Sequence, residues 1–371
     1  MKLFKKYNFK NYNFILLFLV IALMVLGVFI INSVDDEFTV KQAVGVAVSI
    51  VIMLTLSVID YHLISRLYIP LYFFSVVLLV LVLIAGSTVN SATRWFTIAG
   101  IRFQPSELTK TIMIIFFATY LSKLMDDEKV NSLRGIMGFV FFWAIPAFLI
   151  YQEPDLSTLI CLTMVVLTLF YLSGLSYKII GIALLILIPL VSVFLWYIQR
   201  DDQKLLYEHQ VKRIMSFIYP SEYEDESRQQ ENSVMAIGSG QLMGKGLGKK
   251  GEANTGDTNL ISEQQTDFIF SAVGEAFGFF GSVIIIGIIL LIVLQCIRAG
   301  RQARDDVGML ISVGMAALIG YQSFINIGVA TRVLPNTGIP LPFISYGLTS
   351  LMSSAIGIGI VLNISLQKRK Y

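Results

Sequence analysis

The sequence predicts an all-α polytopic membrane protein: about ten transmembrane helices, both termini cytoplasmic, and one long extracellular loop. Three observations carry this. Of 371 residues, 56% are hydrophobic and 14% charged, with a mean hydropathy of +0.74; a soluble chain carries roughly 25% charged residues. Apolar runs near the roughly 20 residues that span a bilayer recur at approximately 12–32, 40–59, 70–88, 106–122, 135–151, 157–173, 179–198, 267–296, 307–329 and 346–366. Lys and Arg crowd one set of connections, the side that faces the cytoplasm.

The first run, in "MKLFKKYNFKNYNFILLFLVIALMVLGVFI", is too long for a signal-peptide core and no A-x-A site follows, so it is a first spanning helix. The basic connections include Lys2, Lys5, Lys6 and Lys10, then Lys123, Lys129 and Arg134, Arg298, Arg301 and Arg304, and finally Lys368, Arg369 and Lys370. The opposite short connections hold only Lys41, Arg94, Arg102, Lys110 and Arg332. The connection at about 199–266 lies outside; long loops translocate largely regardless of charge. It carries the acidic "SEYEDESRQQE" and the Gly-rich "GSGQLMGKGLGKKG". Residues 1–371 therefore form a single integral-membrane domain with an elaborate outer face. Cys161 and Cys296 sit inside apolar runs and behave as small buried hydrophobes. The two histidines, His62 and His209, argue against a His-based metal site.

Polar residues and turn-formers gather in the outer connections. In "SATRWFTIAGIRFQPSELTK", Pro105 after Gln104 suits a helix start. Glu107 and Lys110, three apart, make either a structural ion pair or, for the lysine, part of a basic surface with Arg94 and Arg102 that suits phosphate. In "YQEPDLST", Asp155 caps the following helix, which leaves contact with a cation or substrate open. "TRVLPNTGIPLPFISYG" is rich in proline and glycine; non-helical backbone near membrane depth is tolerated where it is buried or lines a cavity. In "EQQTDFIFSAVGEAFG", Asp267 stands at the edge of an apolar run and Glu275 two turns further in, on much the same face of one helix. Asp267 is either a cap or a functional acid, because ionisable groups at membrane depth are functional by default; Glu275 doubles as a polar clamp to another helix. The Gly274–Gly278 spacing reads as helix packing. The Gly-rich loop is no phosphate loop, since no G-x-x-x-x-G-K-[ST] exists and ATP is absent outside.

Outer-face chemistry without nucleotide needs a substrate carrying its own energy. A lipid-linked diphosphate sugar does so, given one general base for the attacking hydroxyl and positive charge on the departing phosphates. A single carboxylate with a basic rim fits this better than a glycosidase pair. Composition alone leaves a transporter equally open.

"RFQPSELTK", "QEPDLST", "QTDFIFSAVGE" and "LPNTGIPLPFISYG", in this order among ten spans, resemble the SEDS family (shape, elongation, division and sporulation), which includes RodA and FtsW; "RIMSFIYP" and "NSVMAIGSGQLMGKGLG" match as well. The resemblance covers essentially the whole chain. It implies the SEDS fold and an inverting peptidoglycan glycosyltransferase that polymerises lipid II outside the bacterial cytoplasmic (inner) membrane, for elongation and cell shape. Short tails favour the RodA-like type over the division type. The family's acid falls on Asp267 as the catalytic residue. Arg102, Gln104, Glu107, Lys110, Asp155, Ser345 and Tyr346 fall on its substrate and diphosphate motifs. Glu275, Pro335, Gly338, Pro340, Pro342 and Gly347 are supporting positions. Implied partners are lipid II, membrane lipid and a class B penicillin-binding protein, with a divalent cation (Mg or Mn, candidates Asp155 and Asp267) and neither nucleotide nor nucleic acid. Three positions depart from the pattern. Ala276 stands for a second glutamate, Leu348 for the second glycine of "SYGG", and Arg332 for a glycine before "VLP". The alternatives are a lipid-linked precursor flippase and a non-catalytic scaffold for the penicillin-binding protein. The flippase would need polar residues along the spans toward the cytoplasm.

Overall fold

The side-chain carboxamide of Asn13 accepts the Leu16 N–H at 3.1 Å and so starts α1 (Phe14–Val34). In the computed structural model, which describes residues 9–89, 92–98, 101–200, 203, 208–248, 261 and 263–367, this is the first of a bundle of spanning helices. There follow α2 (Thr39–Val58), the short α3 (Tyr61–Arg66), α4 (Tyr68–Ala85), α5 (Pro105–Asp126), α6 (Leu133–Gln152), α7 (Leu156–Leu172) and α8 (Tyr177–Tyr197). After α9 (Glu208–Ile218) and α10 (Glu224–Ser239), in the long connection, come α11 (Ile269–Arg301), α12 (Asp306–Ala330) and α13 (Leu348–Leu366). Among the described residues nine helices are long and apolar enough to cross a membrane, and α7, at 17 residues, is a shorter apolar tenth. These are the ten predicted runs, shifted by a few residues at their ends.

The helices differ in how much of their surface the chain covers. Most of α13 is buried within the chain and none of Tyr177–Phe194 in α8 is, so α13 with α5 and α12 forms the centre while α8 faces its surroundings. A helix that is apolar all round and uncovered by its own chain belongs against lipid. The main core is a contiguous cluster that includes residues of α1, α5, α7, α11, α12 and α13, and a small second one joins Ile198, just after α8, to Met215 of α9.

One end of the bundle collects the start of α1 and the ends of α2, α11 and α13. Asn13 N donates to Ser365 Oγ at 3.3 Å, its side-chain amide to Gln295 Oε1 at 3.1 Å, and Tyr12 to Ser57. The described ends of the chain thus meet at one end of the bundle; Lys2, Lys5, Lys6, Lys368, Arg369 and Lys370, which carry part of the orientation expectation, lie outside the described residues. The starts of α5, α7, α11 and α13 meet at the opposite end.

Three features differ from the sequence reading. The all-α expectation omits a small antiparallel sheet, β1 (Ser87–Val89), β2 (Ala92–Ile98) and β3 (Ile101–Phe103), in the order β1-β2-β3. Its central strand, ATRWFTI, is rich in the β-branched and aromatic residues that suit a pleated surface. The long connection at about 199–266, expected on the outer side, contains α9 and α10. The run at 267–296 is not one straight helix either: Gly278 has φ 63° and ψ −160°, which breaks α11 after its second turn.

Candidate active site

Asp267 lies in the turn that leads into α11, and four main-chain contacts fix that turn. Asp267 N donates to Glu263 O at 3.2 Å, and Asp267 O accepts from Asn326 Nδ2 of α12 at 2.9 Å. The same Asn326 amide donates to Ile339 O at 2.7 Å. Ser345 Oγ donates to Thr266 O at 2.6 Å and Tyr346 N to Gln265 O at 2.9 Å. The carboxylate itself accepts no hydrogen bond among the described residues. It looks across Gly338, where an added Cβ would sit 3.1 Å from Asp267 Oδ2 and 3.6 Å from Arg213 Nη1. Gly338 has φ +75°, a conformation glycine adopts freely, so its missing side chain is what leaves room between acid and guanidinium. Burial pushes the Asp267 pKa up to about 6, and the positive charge of Arg213 opposes the rise. Arg213, on α9, has its own pKa lowered by burial, opposed by Asp267; it remains a cation.

The facing wall is the turn between α6 and α7. Arg94 of β2 clamps it, donating Nε to Glu153 O at 2.8 Å and Nη2 to Pro154 O, with Nη1 4.0 Å from Asp155 Oδ1. Gln210 of α9 donates to Pro154 O as well. Asp155 caps α7 by accepting Thr158 N at 3.1 Å, and its other oxygen accepts Gln104 Nε2 at 3.1 Å. Ser157 donates to Thr337 O, which ties this wall to the Pro-rich segment. The Glu153 side chain is fully buried without a partner for either oxygen among the described residues. Burial raises its pKa to about 9, so it is a neutral acid beside Asp155.

The predicted residues thus divide by what they touch. Asp267 faces the gap beside Gly338 toward Arg213, the crevice of this site. Arg102, on β3, is exposed and close enough to Tyr346 to counter the burial that raises that phenol's pKa. Asp155 and Gln104 lie at the crevice wall with their polar atoms engaged, Gln104 also donating to Ser106 Oγ and, through its main chain, to Thr349. Lys110 departs from an exposed basic surface. It is 1% exposed and its ammonium pairs with Glu107 Oε1 at 2.7 Å, the structural alternative at this spacing. Ser345 and Tyr346 hold the Asp267 turn through the bonds above; Ser345 Oγ also accepts Leu341 N, and the Tyr346 ring packs on Phe38. Pro335, Pro340 and Pro342 lie in the non-helical segment that carries Gly338, and Gly347 precedes α13.

Glu275 does not share the Asp267 environment, because Asp267 lies outside the helix; it pairs with Lys245 of the outer loop at 2.9 Å. Arg213 stood within "RIMSFIYP" without a role in the sequence reading. Its position opposite Asp267 arises from packing across 53 intervening residues that no local periodicity reports.

The three departures have physical partners. Arg332 takes φ 56°, where glycine is unstrained, and pairs with Glu231 of α10 at 3.0 Å. Leu348 fills the notch at Gly45, whose Cβ would lie 2.2 Å from Leu348 Cδ2. Ala276 is buried against the outer-loop residues 244–246, where a second carboxylate would be desolvated.

Breaking a buried pair leaves a charge uncompensated. Lys110→Met alone is therefore expected to cost about 3–5 kcal/mol of stability. The double variant Glu107→Gln, Lys110→Met recovers most of that loss, as thermal unfolding in detergent would record.

Among the described residues no group of three or more His, Cys, Asp or Glu converges as a metal site. Each Asp155 oxygen accepts one hydrogen bond, from Thr158 N and Gln104 Nε2, and Asp267 accepts none among the described residues. These two carboxylates would hold a divalent cation only together with substrate phosphate oxygens and waters, which would fill most of its shell of about six oxygens.

The family profile described as cell cycle protein (FtsW, RodA and SpoVE) matches residues 9–370. A probable peptidoglycan glycosyltransferase FtsW from Trichlorobacter lovleyi is 31% identical over 97% of this chain and 95% of its own length. The peptidoglycan glycosyltransferase MrdB of Escherichia coli is 28% identical over 95% of this chain and 93% of its own. A chain of a solved peptidoglycan synthase complex, one that coordinates polymerization and crosslinking, superposes with a TM-score of 0.80 at 24% identity, covering 95% of this chain and 97% of that one. That likeness establishes the fold.

Proposed function

The chain belongs to the FtsW, RodA and SpoVE family of cell cycle proteins, and from that premise we propose that the crevice at Asp267 is the catalytic centre of a multi-pass membrane peptidoglycan glycosyltransferase. The substrate is lipid II, a polyprenyl diphosphate bearing a disaccharide-pentapeptide, polymerised on the outer face of the bacterial cytoplasmic membrane. Asp267 takes the proton from the acceptor sugar hydroxyl. The freed oxygen forms a bond to the donor's anomeric carbon while the bond from that carbon to the diphosphate breaks, with inversion. The diphosphate leaves with the electron pair, and cationic groups lower the cost of the charge that develops there. Arg213 and the exposed Arg102 supply that charge; Arg94, Gln104, Asp155 and Ser345 keep the walls in place. No step runs through a metal ion.

The observation that carries this reading is the contrast between two crevice carboxylates. Each Asp155 oxygen already accepts a hydrogen bond, one from Thr158 N and one from Gln104 Nε2. Asp267 accepts no hydrogen bond among the described residues, has a pKa raised to about 6 and faces Arg213. A base works best when its pKa lies near the operating pH and its lone pair is unoccupied.

The relatives bear both FtsW and MrdB names, so polymerisation is the activity the two share, and elongation is the setting we propose. Depletion in cells tests it: rounding marks elongation, filamentation marks division. A crosslinking class B penicillin-binding protein is the proposed partner, supported by the likeness to a synthase complex chain. The deciding experiment is electrophoresis of products from purified protein and labelled lipid II, with and without that partner. Glycan ladders are expected; lipid II translocation in liposomes without polymer in either condition would overturn the reading.

A further inference from the structure

The helix that begins beside Asp267 is broken, and a piece of the outer loop fills the break. In an unbroken α11 the amides of Phe279 and Phe280 would bond the carbonyls of Glu275 and Ala276, four residues back. With Gly278 at φ 63° those pairs separate. All four groups instead bond the segment Gly240–Gly246. Lys245 N donates to Glu275 O at 2.9 Å and Gly246 N to Ala276 O at 2.9 Å. Phe279 N donates to Gln241 O at 2.8 Å and Phe280 N to Leu242 O at 3.2 Å. The Lys245–Glu275 ion pair lies over the same join.

Glycine is what lets the two backbones approach. A Cβ at Gly240 would sit 2.0 Å from Gly274 O, one at Gly244 2.2 Å from Ala276 O, and one at Gly278 2.4 Å from Gly244 N. The Gly274–Gly278 spacing therefore does serve packing, but its partner is the outer loop and not another span. Immediately before this segment, α10 grips the other side of the crevice. Gln230 donates to Val329 O and Leu334 O, Ser233 donates to Ala330 O, and Glu231 pairs with Arg332. One continuous stretch of outer loop thus holds both the end of α12, next to the segment with Gly338, and the helix start that follows Asp267.

We propose that Gly240–Gly246 is a splint inserted into the broken α11 and that it positions Asp267 for transfer, with Gly244, Lys245 and Gly278 as positioning residues. This rests on Asp267 being the base. An unsplinted break would strip the main-chain groups of Glu275, Ala276, Phe279 and Phe280 of these partners and free the first turns of α11 to tilt. Displacement of a reacting group by about 1 Å costs on the order of 100-fold in rate.

The test pairs hydrogen exchange with kinetics on purified full-length protein and lipid II. In the parent, the amides of Lys245, Gly246, Phe279 and Phe280 are expected to be protected like those within α12. Gly244→Ala, strained at φ +80°, should release those four amides and lower kcat on the order of 100-fold, with KM for lipid II little changed and the acid limb of the pH profile displaced. If Gly244→Ala also deprotects α12 and α13, it has lost its fold. Lys245→Met then serves, with a several-fold lower kcat that Lys245→Arg restores. Free exchange at the four amides in the parent, or a parent-like kcat in a Gly244→Ala protein whose splint amides are released, overturns the splint. Parent-like activity of Asp267→Asn overturns the base assignment instead and leaves the exchange result standing.

Discussion

Purified Asp267→Asn protein is expected to polymerise lipid II about 100- to 10,000-fold more slowly than the parent, and to unfold at a higher temperature than the parent at neutral pH. Both effects come from the same side chain. The carboxyl's pKa is raised to about 6 chiefly by burial, so its ionised form is held at a cost the unfolded chain does not bear. A group with a raised folded pKa favours the folded state below the unfolded value, about 4, and that advantage is lost as pH rises through the folded value, about 6. Asparagine does not titrate. The variant should therefore gain on the order of 1–3 kcal/mol relative to the parent at neutral pH, with the difference closing toward about pH 4. An inactive protein that is no more stable than the parent would mean residue 267 sits in ordinary solvent. An active one would remove it from the chemistry.

Much of this was readable from the chain alone, where the signal was local. Ten apolar runs announced the helices by length. Pro105 marked the first residue of α5, and Asp155 the cap of α7, because capping depends on residues only a few positions apart. The Glu107–Lys110 pair was legible as a three-residue spacing, but its burial against Ser353 and α13 was not, since that depends on a helix more than 200 residues away. The β-branched and aromatic run of β2 carries a strand signal, but its strands are too short to stand out among the long apolar helices on either side. The break at Gly278 was masked by unbroken hydrophobicity on both sides; only the paired glycines of the outer loop hinted that a second backbone must come close. Arg213 could be seen in a motif, but not as the cation opposite Asp267, because α9 and the α11 turn are brought together by packing on Gly338. The site residues legible by type were those whose neighbours in sequence are also their neighbours in space.

The acid limb of kcat/KM reports the base in the free enzyme, so the parent should gain activity with a midpoint near pH 6, where burial and Arg213 together hold Asp267. Arg213 lowers that midpoint, so Arg213→Met should move it upward, toward neutral pH. The same substitution removes a cation from the departing diphosphate, a loss of the order of 100- to 1,000-fold by analogy with other transition-state charge contacts. The two contributions separate by pH. Raising pH ionises Asp267 again and restores the part of the deficit due to the base, but it cannot replace the missing charge, so a plateau deficit remains. Arg213→Lys divides them differently. It keeps the positive charge, so the midpoint should stay near that of the parent, but a point-like ammonium lacks the planar fork that matches phosphate oxygens, so the plateau should still fall. A variant Arg213→Met with an unmoved midpoint and a full plateau would show that the guanidinium beside Gly338 serves neither the acid nor the leaving group, and the crevice would need another source of positive charge.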